Sequence, residues 1–326
     1  MRCIRHRSVF GISLINRSIL KFTPLPESFG GGSFFVRTMK KLVLIGTILL
    51  NSVAVFAQKA PKYTTAKDLE AVFSYRPDRK IPLILAHRGG PQASETENSM
   101  ETFRHTYQQV PEAILEMDVR MTKDSMLAML HDDDIERTTT GKGSLKAMNW
   151  AELKTVFLRD LQGRPTRQRI PLFDEVLQWG AGRVLMAIDA KPGVDLRKVM
   201  KSIADRKALH SVFIICYSTE DALSVRKEYP DVWVAVGFNE ANHGETLQKA
   251  GLSLRHLIGL SARQNREFYD RLHRAGIPCT VSTFGPGNLD EKPLSEVAQS
   301  YQTFFQTGAD ILTTDRPAEV RALFTK

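Results

Sequence analysis

Cysteine is scarce in this sequence. Three cysteines in 326 residues cannot build a disulfide framework, so an ordinary core must hold the fold. Long apolar runs are missing as well. The one exception covers 15 residues from Leu42 to Phe56, short of the ~20 that a membrane-spanning helix needs. Internal repeats, low-complexity tracts and Pro/Ser-rich linkers are absent, which leaves a single domain. Hydrophobic residues at 42% and charged residues at 25% describe a soluble globular protein rather than a disordered or membrane-embedded one.

The formal charge of +9 suggests a nucleic-acid or anionic partner until it is located on the chain. Residues 1–57 hold eight Lys/Arg and one Glu, so +7 of the charge lies there and +2 remains for residues 58–326. Met39-Lys40-Lys41, the apolar run and Ala57 are the three parts of a secretory signal. Val55 and Ala57 occupy the small-residue positions before a cut ahead of Gln58. Residues 1–38 precede that signal and read as an upstream start-site artefact, with translation expected from Met39. The expectation is therefore a periplasmic or secreted protein of residues 58–326. It has no nucleic-acid partner and no stable membrane insertion after cleavage. No cysteine follows the cut, so a lipoprotein anchor is not expected, and Cys216 and Cys279 lie in apolar runs as buried free thiols.

After a polar lead-in, short Val/Ile/Leu-rich runs alternate with amphipathic stretches. The strand candidates are 82–87, 113–119, 126–131, 184–190, 212–217, 232–238, 256–260, 277–283 and 309–313. Helical spacing marks 99–110 and 265–275. Apolar strands separated by helices imply a parallel sheet buried on both faces. The length of residues 58–326 suits a (β/α)8 TIM barrel, typically ~250 residues. Nine candidates exceed eight by one, and 256–260 is the weakest. The polar stretch 132–170 reads as an insertion after the third strand.

Polar residues gather where the strand candidates end, the face on which barrel enzymes build their sites. The first ends in His87-Arg88-Gly89-Gly90, the second in Glu116-Met117-Asp118, the third in His131-Asp132 and the fourth in Asp189-Ala190-Lys191. Glu116 and Asp118 are two apart on a strand, so their side chains leave the same face. With Asp189 they form an oxygen-rich, cysteine-free set that suits Ca2+ or Mg2+. His87 and His131 would flank the cation as acid and base, and Arg88 and Lys191 would neutralise a phosphate. Those parts suffice to cut a phosphate ester. The other histidines of 58–326, at 105, 210, 243, 256 and 273, read as surface or capping residues, and Trp150, Trp179 and Trp233 as core.

The ordered set His87-Arg88-Gly89, Glu97-Asn98, Glu116-x-Asp118, His131-Asp132, Arg137-Thr138-Thr139, Ile170-Pro171 and Thr314-Asp315-Arg316-Pro317 resembles the glycerophosphodiester phosphodiesterase family, from about Leu83 to Phe324. The resemblance implies a TIM barrel, one divalent cation, and hydrolysis of glycerophosphodiesters to glycerol 3-phosphate and an alcohol. By position it makes His87 and His131 the acid/base pair, Arg88 a phosphate ligand, and Glu116 and Asp118 metal ligands. Asp189 stands where the family has the glutamate of a Glu-x-Lys, one methylene shorter. Glu97 becomes a further metal ligand, and Asn98 orients substrate or caps the next helix. Two other departures are Thr96 before Glu97-Asn98 and Cys279-Thr280-Val281-Ser282 in place of Trp-Thr-Val-Asn, with Phe284 offering a ring nearby. The alternatives are a phosphodiester lyase or phospholipase on the same barrel, or a non-catalytic barrel that binds phosphorylated ligands.

Overall fold

The computed structural model describes residues 63–238, 243–284 and 288–325; the signal segment 39–57 and its cut lie outside these. In chain order the strands are β1 (Leu83–Ala86), β2 (Ile114–Met121), β3 (Leu127–Met129), β4 (Leu185–Ala190), β5 (Val212–Cys216), β6 (Trp233–Gly237), β7 (Leu257–Ser261), β8 (Cys279–Ser282) and β9 (Ile311–Thr314). The helices are α1 (Ala66–Phe73), α2 (Met100–Gln109), α3 (Trp150–Leu153), α4 (Phe173–Gly180), α5 (Leu196–Asp205), α6 (Thr219–Glu228), α7 (His243–Lys249), α8 (Arg266–Arg274), α9 (Leu294–Thr307) and α10 (Pro317–Ala322). The sheet runs β1-β9-β8-β7-β6-β5-β4-β2, and β1 also pairs with β2, which closes eight parallel strands into a (β/α)8 barrel.

Side-chain alternation along the strands divides the core in two. Leu115, Met117, Met186, Ile188, Val212, Ile214, Val234, Val281 and Leu312 face outward and pack beneath the helices. Their neighbours Ile114, Leu185, Ala187, Phe213, Trp233, Ala235, Ile258 and Ile311 face the lumen. Helix α1 plugs the N-terminal end of that lumen. Thr65 and Asp68 form its capping box, and Leu69 and Phe73 are buried in the inner cluster. The Phe73 ring lies edge-on to Phe213 at 5.5 Å and to Trp233 at 5.4 Å. The lower lumen is thus a packed core, and only the C-terminal end is left for polar side chains.

Two expectations need correction. The surplus strand is 126–131, not 256–260. β7 is a full barrel strand, whereas β3 pairs antiparallel with β2 (Val119 with Met129, Met121 with Leu127). β2 outruns the barrel rim and turns back through Thr122–Ser125, with Met126 N–H donating to the Thr122 hydroxyl at 2.9 Å. An apolar hairpin arm and a barrel strand look alike in sequence because both alternate and both are buried. The stretch beyond β3 has its own small core of Ile135, Leu145, Leu153, Leu158 and Ile170, so it is a packed insertion. The second correction concerns histidines, since acids do meet three of those read as surface or capping residues, and His105 lies on α2 beside Glu95. His256 is buried with Nε2 2.7 Å from Glu70 of α1, and His273 Nε2 lies 2.9 Å from Asp310. The latter two pairs sit at the N-terminal end of the barrel and fasten helices to strand ends.

Cys216 and Cys279 are buried free thiols. Trp233 is core in the lumen, whereas Trp179 is only partly buried against the outer cluster and Trp150 against the small core of the insertion. Among the described residues no helix is long and apolar enough to cross a membrane.

Candidate active site

The inward-facing register, followed to the C-terminal end of each strand, places the polar groups. On β2 it runs Ile114, Glu116, Asp118; on β4 it runs Leu185, Ala187, Asp189. Parallel pairing sets Asp118 directly beside Asp189. One carboxylate oxygen from each of Glu116, Asp118 and Asp189 lies within 4.8 Å of the others, and all three residues are buried. Lys191 is the cation shared between them, its Nζ 2.6 Å from Asp118 and 2.7 Å from Asp189. Burial, then Asp118 and Asp189, hold the Glu116 carboxyl well above the usual carboxylate range. Burial pushes Asp118 the same way, but Lys191, His131 and Asn98 outweigh it and leave its pKa lowered. Three buried carboxylates outnumber the two side-chain cations beside them, Lys191 and Arg88, whose Nε is 3.9 Å from Asp118. An all-oxygen donor set in that state fits a hard divalent cation.

The two histidines reach the same cavity by different routes. His87 follows β1 directly. Its Nδ1 is 2.7 Å from Asp315, just past β9, and its ring stacks on Phe284 at 3.8 Å and 8°. His131 does not end a barrel strand. The β2–β3 hairpin carries it back to the rim, where Leu130 N–H donates to the Asp118 carbonyl at 3.1 Å and Arg120 Nε to the His131 carbonyl at 2.7 Å. Its Nδ1 is 2.7 Å from Asp132. A carboxylate only accepts, so each Nδ1 carries the proton and each Nε2 is left for other chemistry. Burial pushes Asp132 up, but hydrogen bonds from Arg137 and His131 outweigh it and bring its pKa down to about 2.

Glu97 is placed differently from the carboxylate trio. Its oxygens accept from Arg88 at 3.0 Å and, two-pronged, from Arg137 at 2.8 Å on each side, so they are matched to guanidinium groups rather than to a cation. Asn98 does not cap a helix, and it is not among the residues that line the cavity. Its Nδ2 donates to Asp118 Oδ2 at 2.6 Å and its Oδ1 accepts from Asp118 N–H at 2.9 Å, while Ser99 caps α2. Asn98 therefore fixes a carboxylate of the trio. Arg88 and Asn98 both lie in the left-handed backbone region, at φ 51° and 54°. The conformation is held by hydrogen bonds: Arg88 N–H donates to Glu116 at 2.7 Å and Asn98 N–H to the Arg88 carbonyl at 3.0 Å. Arg88 Nε is buried without a hydrogen-bond partner at the cavity wall, a donor fit for a phosphate oxygen.

Three contributors were not assigned from sequence. Asp315 belongs to the Thr-Asp-Arg-Pro run, whose position after the last strand was the available signal. Buried Asp290 accepts from Thr283 and Thr314 hydroxyls at 2.9 and 3.0 Å, from Tyr301 at 2.5 Å and from Asp315 N–H at 2.7 Å, which sets the loop that presents Asp315. Tyr217 follows β5 and donates its hydroxyl to Asp189, 2.8 Å from Oδ1 and 3.1 Å from Oδ2. Burial and the Asp189 charge push that phenol up to about 12, so it stays a donor. The cavity measures about 790 Å³. His87, Arg88, Glu116, Asp118, His131, Asp189 and Lys191 line it, together with Leu85, Ile215, Leu260, Thr280, Ser282 and Phe284. A candidate cation site, two oriented histidines and the buried Nε of Arg88 around one cavity can bind an anion and move protons on either side of it.

The sequence profile of the glycerophosphoryl diester phosphodiesterase family matches residues 87–319. A crystal structure of a glycerophosphoryl diester phosphodiesterase from Parabacteroides distasonis is 31% identical and superposes with a TM-score of 0.75, covering 82% of this chain and 93% of that one. Glycerophosphodiester phosphodiesterases of Caldanaerobacter subterraneus subsp. tengcongensis and Bacillus altitudinis are 29% and 30% identical over 161 and 165 residues. Each match takes in 47% of this chain and 65% of the relative, so the shared stretch is just under two thirds of the length of these relatives.

Proposed function

The chain belongs to the glycerophosphoryl diester phosphodiesterase family, and we propose that it hydrolyses glycerophosphodiesters to glycerol 3-phosphate and an alcohol, using one bound Ca2+ or Mg2+. The observation that carries this reading is the convergence of two aspartate-oriented histidines and three buried carboxylates on one cavity. Glu116, Asp118 and Asp189 would hold the cation, whose chemistry is to neutralise phosphoryl charge as a Lewis acid. Arg88 offers its buried Nε–H to a phosphate oxygen. One histidine takes a proton at Nε2 from the attacking hydroxyl or water, and the other gives one from Nε2 to the departing alcohol. Asp315 and Asp132 keep the imidazoles in the required tautomer and support the charged form of each. The apolar side chains of Leu85, Ile215, Leu260 and Phe284 exclude water from the reacting phosphate.

The test is an assay of metal-stripped protein on simple glycerophosphodiesters and aryl phosphodiesters, with Ca2+ or Mg2+ added back. Glycerol 3-phosphate should appear only with the ion present. Accumulation of a cyclic phosphate would reassign the chain to lyase chemistry, and turnover of neither substrate class would reject the reading. We also propose export through the segment 39–57, on the strength of its basic start, apolar run and small-residue cut. N-terminal sequencing of exported protein should find a start at or near Gln58; residues 1–38 still attached would refute it.

A further inference from the structure

Tyr217 is an oddity by packing. It is a large aromatic residue 56% exposed, on the segment that leaves β5, in a chain with few such residues on its described surface. Apolar burial does not explain its placement, whereas register and one hydrogen bond do. Ile215 lies opposite Asp189 in the β4–β5 pairing and faces the cavity, Cys216 turns outward into the helix-side core, and Tyr217 returns to the inward side. From there its hydroxyl meets Asp189, nearest to Oδ1 at 2.8 Å. The other oxygen, Oδ2, accepts from Lys191 Nζ at 2.7 Å. Lys191 is also 2.6 Å from Asp118, so this ammonium pulls on two members of the trio at once.

The other two carboxylates have backbone anchors. Glu116 accepts the Arg88 N–H, and Asp118 is held by both ends of the Asn98 amide, one of them through its own backbone. Asp189 has no such anchor. Its partners are the ammonium of Lys191, which it shares with Asp118, and the phenol of Tyr217. Without the phenol, nothing but the ammonium would choose the orientation of this carboxylate. Groups that orient a ligand from behind are worth much of a cation's affinity, because they remove the ordering step from binding.

We propose that Tyr217 is the positioning residue for Asp189: its hydroxyl, from the side opposite the Lys191 bridge to Asp118, fixes the rotation of the carboxylate beside Glu116 and Asp118, and so sets the affinity of the site for a divalent cation. The inference rests on the cation-site reading above. It assigns Tyr217 no proton transfer and no contact with substrate. It also predicts coupling. A glutamate at position 189 is longer by one carbon–carbon bond, ~1.5 Å, which carries the carboxylate beyond this hydroxyl.

The test is calorimetric titration of metal-stripped protein with CaCl2 and, separately, MgCl2, for the wild type, Tyr217→Phe, Asp189→Glu and the double variant. Melting of each metal-free protein is followed in parallel. Tyr217→Phe should weaken the preferred ion about 10-fold. Its metal-free melting temperature should stay unchanged, since the ring remains and its edge is in water. In the Asp189→Glu background the same substitution should cost less than about 2-fold, as the two changes act on one contact. Wild-type affinity in Tyr217→Phe would overturn the inference, and so would losses that simply multiply in the double variant. A wild type that takes up neither ion would instead reject the cation site itself, whatever Tyr217 does.

Discussion

His87 and His131 are each oriented by a single acid, Asp315 and Asp132, 2.7 Å from Nδ1. Replacing either histidine with Ala should lower kcat by ~10²–10⁴-fold with the fold intact. The double variant should fall far short of the product of the two losses, because both serve one reaction. Asp315→Asn tests the orientation separately: its amide offers Nδ1 a donor as readily as an acceptor, so kcat should drop while KM changes little. Steady-state kinetics of these variants decide the matter, and near-normal turnover in either histidine variant would remove that residue from the mechanism. Asp132 also links the site to acid stability. Its pKa falls from the ordinary 3.8 to about 2 in the folded protein, so its contribution is whole above the unfolded value and is lost as pH falls through the folded one. Thermal melts should show Asp132→Asn less stable than wild type at pH 6. The gap should close between pH 4 and pH 2, in the window from 3.8 to about 2.

At the scale of elements, the site depends on turns that only particular residues allow. Gly89 sits between His87-Arg88 and the loop leading to α2, at φ 89°. A Cβ there would stand 2.7 Å from the buried Phe103 ring. Gly89→Ala combines a left-handed backbone penalty of ~1–2 kcal/mol with overpacking of ~1–3 kcal/mol. It should cost about 2 kcal/mol or more in a denaturant titration, and it should lower activity besides, because His87 and Arg88 lie on the displaced turn. The β2–β3 hairpin has a comparable duty. Register with β2 and the Arg120 clasp on the His131 carbonyl decide where that imidazole stands. The loop after β8 is fixed by Asp290, whose carboxylate gathers four donors and thereby places Asp315.

For the whole molecule, the dominant imbalance is electrostatic. The plugged, packed lower lumen and the polar upper lumen share one barrel, and the upper part confines three carboxylates beside two side-chain cations, Lys191 and Arg88. An ion that binds only the folded barrel stabilises it by mass action, by ~2.7 kcal/mol at 100 times its Kd. Ca2+ or Mg2+ should therefore raise the melting temperature by several degrees, at about 2–4 °C per kcal/mol for a chain near this size. Chelation should reverse the shift and abolish activity together. Asp118→Asn should shrink the shift, and excess ion should restore part of it; Asp189→Glu should keep more of it than Asp189→Ala. A melting curve indifferent to both ions and to chelator would refute the site.

The barrel, eight of its strands and the gathering of His87, His131, Glu116, Asp118 and Asp189 at one end of it were legible in the residues. Each rests on a local pattern: two-residue alternation on β2 puts Glu116 and Asp118 on one face, and three- and four-residue steps mark α2 and α8. Tertiary structure decided what those patterns leave open. Alternation does not say which strand a run pairs with, so 126–131 passed for a barrel strand when it is a hairpin arm. A carboxylate at the barrel mouth does not announce its partner. Glu97 met two guanidinium groups instead of joining the trio, and Asn98 turned to Asp118. Asp315, Asp290 and Tyr217 matter only through contacts with residues 228, 25 and 28 positions away along the chain. Periodicity reports which face a side chain leaves, but which groups share that space is set by barrel closure, when distant strands are brought into register.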